Sequence, residues 1–154
     1  MTELFLKQFA FEYWSNSTIV AALRQLTAPN ERALLLFSHL LSSHSMWLSR
    51  VTASPFTCTL FQERTLDECE HLMLQNRDGW QQWLEQANPN QFDMEIAFMP
   101  AWEQHPVKRK ISVQDALIHI INHSSYHRGQ IVASIKGNVP ELPLSTYIMY
   151  ASKI

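Results

Sequence analysis

Three histidines, His119, His123 and His127, stand at four-residue intervals in one stretch of a 154-residue chain. On an α-helix that spacing puts them on a single, slowly drifting stripe. An adjacent pair at i and i+4 can grip one ion, as two imidazoles on one helix face do in zinc enzymes. Three cannot. At about 1.5 Å of rise per residue the outer two lie about 12 Å apart along the axis, whereas metal–nitrogen bonds are about 2.1 Å. At most one adjacent pair shares an ion, and a further ligand has to come from another element. His39 and His44, close together on an earlier apolar stretch, are the candidates. Either one gives three protein ligands and an open position, the coordination of a catalytic site rather than a closed structural one. The bland alternative is a stripe of core histidines satisfied by carbonyls or water. His71 and His105 have no such company and are expected at the surface.

The elements that must position these residues can be read from capping and periodicity. Leu4, Phe5, Phe9, Tyr13 and Leu23 fall at helical intervals, so a first helix is expected over about 3–27, ended by Pro29. Asn30 is a fitting N-cap for a second, with Glu31 in its first turn and Pro55 beyond its end. Thr65 and Glu68 make a capping box that opens a third, which runs towards Asn88-Pro89-Asn90 with Gly79 a weak point inside. In Phe92, Met94, Ile96 and Phe98 the period shortens towards two. Val107 to Ile111 can answer them across a turn near Pro100, which predicts a short two-stranded ribbon. Ser112 with Asp115 caps the fourth helix, expected to reach about Lys136 before the C′ glycine Gly137. A short terminal helix is expected in the tail, 138–154. Four long helices with brief connections make an all-α, up-down four-helix bundle, a single domain over residues 1–154.

Composition removes several function classes. Apolar residues make up 46% of the chain and charged ones 17%, a globular balance. Twelve Lys and Arg against fourteen Asp and Glu leave a formal net charge of -2, with no basic stripe to neutralise phosphates, so no nucleic-acid partner is expected. No apolar run approaches the roughly eighteen residues of a membrane span, and the opening residues lack the pattern of a secretory leader. Cys58 and Cys69 cannot make a disulfide framework, which points to a reducing, cytoplasmic setting. Five tryptophans against three glycines favour long helices, and the tryptophans read as core rather than cofactor stackers.

The segment Leu117-Ile-His-Ile-Ile-Asn-His-Ser-Ser-Tyr-His-Arg-Gly-Gln-Ile131 resembles the last helix of the DinB family of metal-binding bundle proteins, which carries H-x-x-x-H-R-G-Q. Leu36-Phe-Ser-His to Trp47-Leu-Ser-Arg50 is similar to that family's second helix, a histidine followed by small and apolar residues and then W-L-x-R. Tyr13-Trp14-Ser-Asn16 resembles the aromatic-then-Asn pattern of its first. The resemblance covers nearly the whole chain. It implies a four-helix bundle, usually dimeric, holding one divalent metal ion per chain, Zn2+ or Ni2+, on three histidines. Carried onto this sequence the ligands are His39, His123 and His127. Some similar proteins transfer or isomerise groups with the help of low-molecular-weight thiols, and many have no established reaction. By the same resemblance Arg128 orients a carboxylate or the bundle's own acidic groups, Gly129 permits close helix approach, and Gln130 hydrogen-bonds behind a ligand.

Two points pull against that pattern. A helical wheel places His44 at the centre of the second helix's apolar face and His39 on its flank, so periodicity favours His44 where the resemblance favours His39. Near Pro143, Ser145 or Thr146 stands where similar proteins often carry an acid. The expected function is a metal-dependent enzyme of hydrolase or thiol-transferase type acting on a small molecule. Three neutral imidazoles leave the ion its full charge, so a bound water or thiol would be acidified towards neutrality. The competing class is a non-catalytic metal-binding stress-response or scaffold module acting through partners. Glu12, Glu31, Asp115 and His119 are general-base candidates by type alone. A homodimer is expected, through the first helix or through Tyr147 to Tyr150.

Overall fold

In the computed structural model the described residues are 1–100, 104–105 and 107–152. Four long helices, α1 (Thr2–Leu23), α2 (Glu31–Val51), α3 (Leu66–Gln86) and α4 (Val113–Ile135), form a bundle, and a short α5 (Tyr147–Ala151) follows. The caps act as their residue types dictate. Asn30 accepts from the Ala33 amide, Thr65 and Glu68 complete a capping box, and Ser112 accepts from the Asp115 amide. Gly137 takes φ +83° just past α4, a left-handed conformation that other residues reach at a cost.

Helix α1 is shorter than its apolar spacing suggested. It ends at Leu23, because the Gln25 and Leu26 amides turn to the carbonyls three residues back, on Ala22 and Leu23. Between α3 and α4 the expected ribbon is present, with β1 (Glu95–Phe98) antiparallel to β2 (Arg109–Ser112) and Ile96 opposite Ile111. It starts later than the alternation from Phe92 implied. Asn88 caps a 3-10 turn over Pro89–Asp93, and that turn buries Phe92 instead of extending it. The turn expected near Pro100 falls largely on 101–103 and 106, outside the described residues, as does Trp102.

Around the bundle, α1 packs on α3 and α4, and so does α2 from the opposite corner. Gly79 does not interrupt α3. A Cβ there would lie 2.5 Å from Leu48 Cδ2, so glycine allows α2 to come close. Two apolar clusters fill the interior. One is built on Ile19, Phe37, Leu41, Met73 and Ile131, the other on Phe9, Trp47, Trp80, Leu117 and Ile120. In sequence, every long helix carries a polar stretch between its contributions to the two. Glu12 and Asn16, His44, Asn76, and Ser124 and Arg128 are all buried there, and His39 is buried just before it, among the contributions of α2 to the first cluster. The candidate chemistry sits in this layer.

Candidate metal centre

Helix α2 delivers His39 and α4 delivers His123 and His127 to one place. One ring nitrogen from each lies within 4.8 Å of the other two. His123 Nε2 and His127 Nε2 are 3.1 Å apart. Two nitrogens each about 2.1 Å from one tetrahedral ion would sit about 3.4 Å apart, so the pair is spaced to share one. The opposite ring faces are fixed by the protein. His39 Nδ1 donates to the Leu60 carbonyl at 3.0 Å, and His127 Nδ1 donates to Gln130 Oε1 at 2.8 Å. Each bond places the proton on Nδ1 and leaves Nε2 with a free lone pair, the arrangement found behind metal-bound imidazoles. Phe61, on the loop that carries Leu60, stacks on the His39 ring at 4.1 Å.

Electrostatics keep these rings neutral. Burial is the main cause that lowers the pKa of His39, His123 and His127. For His123 the neighbouring imidazoles add to it and hold the group at about 3. A neutral imidazole has no proton to lose before it binds a metal. Donor type, spacing and protonation therefore all fit a divalent cation that prefers nitrogen, such as zinc or nickel.

His44, the ligand that periodicity favoured, does not join the cluster. It is buried, as the wheel required, but it faces α1: its Nε2 lies 2.8 Å from Ser124 Oγ and 3.6 Å from Glu12 Oε2. Glu12 accepts two hydrogen bonds from Arg128, at 2.7 and 2.8 Å, and Arg128 also donates to Asn16 and Ser125. Burial works to raise the Glu12 pKa, but hydrogen bonds from Arg128 and His44 outweigh it and hold the carboxyl below its usual range. Arg128 thus orients one of the bundle's own acids. Gly129 is exposed and a Cβ there would meet nothing, so it serves no close helix approach among the described residues. The Ser145 carbonyl accepts from Ser15, and Thr146 stands at the N-cap position of α5 with no side-chain capping bond. His71 and His105 are exposed.

A cavity of about 330 Å³ opens beside the cluster, lined by His39 and His123 at one end and by Trp47, Phe61, Phe98 and Arg50 elsewhere. His119 lines it too, its ring 5.5 Å from those of Trp47 and His123. Trp47 is therefore both core and cavity wall. Of the four general-base candidates, His119 alone lines this cavity. Glu12 is consumed by Arg128, Asp115 is occupied at the α4 cap, and Glu31 is exposed at the start of α2. Sequence reasoning missed Arg50 as a cavity residue, although the W-L-x-R spacing places it one turn beyond Trp47.

A helical bundle with a polar central layer and three converging neutral imidazoles has the form of a metal-binding bundle protein. The model of the DinB family matches residues 2–138, and the chain belongs to that family. No curated protein matches it. No described helix is long and apolar enough to cross a membrane.

Proposed function

We propose that His39, His123 and His127 bind one divalent ion per chain, zinc or nickel, and that the protein is a metal-dependent enzyme acting on a small molecule in the adjoining cavity. The observation that carries this reading is the convergence of three ring nitrogens, with the Nδ1 protons of His39 and His127 already committed to Leu60 and Gln130. A bound ion would supply Lewis acidity, lowering the pKa of a water or thiol at its open position. The chain's own residues would do the rest. Phe61 and Leu60 cover His39 and limit the access of water to it. Burial and the Arg50 charge hold His119 below the usual imidazole range, so it is neutral near pH 7 and a ring nitrogen can accept a proton inside the cavity. Hydrolysis and thiol transfer both suit this arrangement.

The competing scaffold reading draws on Glu12: among the described residues it is the one carboxylate buried in the polar layer, and its lock to Arg128 leaves the cluster no acidic base there. We further propose a homodimer formed through α1 and α5, where Leu4, Ile148 and Met149 are exposed. Two unpaired cysteines support a cytoplasmic setting.

The deciding experiment is elemental analysis of tag-free protein purified without metal-affinity resin, beside His123→Ala. The expected result is close to one zinc or nickel per chain in the parent and none in the variant. Folded parent that holds no metal, and whose melting temperature added zinc does not raise, would overturn the proposal. If metal binds but ester, amide and thiol-adduct substrates all go unturned, the scaffold reading takes its place. Light scattering on the same sample would refute the dimer if it returned the mass of a single chain.

A further inference from the structure

We propose that Arg50 is an anion anchor, and that the cavity beside the histidine cluster takes a small molecule with a carboxylate on an apolar or aromatic body. The proposal deepens the metal-site reading and rests on it only for what meets the ligand's other end.

Arg50 is half-buried, yet no carboxylate pairs with it and no hydrogen bond reaches its guanidinium among the described residues. Arg24, Arg77 and Arg128 each have a carboxylate, and Arg64 has the hydroxyls of Ser38 and Ser42. What holds Arg50 is stacking, with its Cζ 4.5 Å from the Trp47 ring centroid and 5.6 Å from that of Phe98. Stacking on a ring face leaves the five in-plane N–H donors of the guanidinium free to meet a ligand. A partly buried cation in that state is costly until an anion arrives, and burial alone already depresses its pKa. The planar fork matches a carboxylate in two parallel hydrogen bonds.

The rest of the cavity sets the ligand's body. Met46, Trp47, Leu60, Phe61, Phe98 and Met99 form its apolar walls, and no acidic residue lines it among the described residues. Its volume, about 330 Å³, is at the lower end for ligand pockets, which suits a small molecule. From Arg50 the path to the cluster runs over Trp47, His119 and His123 in steps of 4.5, 5.5 and 5.5 Å. One such molecule, bound at Arg50, can therefore present its far end to the histidines.

A purely structural Arg50 would staple the ribbon to α2 through the same stack, and the test separates the two roles. The probes are 3-phenylpropionate and its neutral amide, titrated calorimetrically into as-purified protein whose metal content is measured on the same sample. We expect the acid to bind at least about tenfold tighter than the amide, as a charge-assisted pair requires. Arg50→Gln should cut the acid-to-amide ratio to no more than about a fifth of the parent's, and Arg50→Lys should keep most of the preference. Arg50→Met, whose stem still packs on Trp47, serves as the second neutral variant should Arg50→Gln not fold. Any affinity of the acid for a bound metal is common to parent and variants and cancels in the comparison. An acid-to-amide ratio unchanged by both neutral variants overturns the anchor. So does a ratio near one in the parent, or no binding of the acid at millimolar concentration. Metal present with an unmoved ratio defeats the anchor alone, whereas a shifting ratio without metal supports the anchor and defeats the metal reading.

Discussion

Two groups of polar residues are drawn from neighbouring positions of α4, and they end in opposite states. His123 and His127 meet His39 of α2. Ser124 and Arg128, one residue later and so about 100° further round the helix, meet His44 and Glu12 instead. In the second group acceptor and donor are both supplied by the chain, and the charges cancel within it. The first group offers three ring nitrogens to a point where no acid stands among the described residues. The second group is fully buried, whereas His123 and His127 keep part of their surface, so depth of burial does not identify the functional one. What does is whether the chain satisfies its own groups.

The largest expected effect breaks the closed group and spares the open one. Glu12→Gln removes the carboxylate and leaves Arg128, 2% exposed, without a counter-charge. Removing one partner of a buried pair costs about 3–5 kcal/mol, to be read as a shift in urea midpoint. Metal content should stay at the parent's value. Metal lost in proportion to stability would mean that the two groups are one coupled unit.

A smaller effect sharpens the comparison from the other side. Gln130→Leu takes away the acceptor behind His127 and touches no part of the ion pair. Loss of such a partner weakens metal binding by about 10–100-fold, measured by zinc titration against a chelating indicator. Stability of the metal-free protein should change by no more than about 0.5 kcal/mol, as for an ordinary surface substitution. Unchanged zinc affinity would show that packing against His39, not this hydrogen bond, orients the ring.

Much of this was legible in the chain because it is local. Caps at Asn30, Thr65 and Ser112, the glycine after α4 and the i, i+4 histidine pair are all written within a few residues. The choice between His39 and His44 was not, since a bundle helix buries more than one face and periodicity reports only that a residue points inward. His44 does point inward, but at α1. Which helix lies there depends on the order around the bundle, with α1 and α2 on opposite corners, and short connections do not indicate that order. The same long-range packing hid the partner of Arg128, 116 residues away. It also hid that Arg50 has no carboxylate among the described residues, because a missing counter-charge leaves no trace in a sequence.

Acidity should separate the two groups by where each one fails. In the folded, metal-free protein His39, His119, His123 and His127 are all held below the ordinary imidazole range by burial, His123 at about 3. In the unfolded chain the same imidazoles take up protons near pH 6.5. As pH falls through about 6.5 the unfolded state binds protons that the folded state refuses, so stability declines from there downwards. Glu12 is also depressed, so its contribution is complete above the unfolded carboxyl value of about 4.3 and is lost only as pH falls below it. Between about pH 7 and pH 5 the slope therefore belongs to the histidines. Urea midpoints of metal-free protein should fall across that range, and His123→Gln should flatten the fall. Glu12→Gln should lower the whole curve without changing its slope. A slope that follows Glu12 instead would place the acid-sensitive charge in the ion pair and remove the case for a neutral, metal-ready cluster.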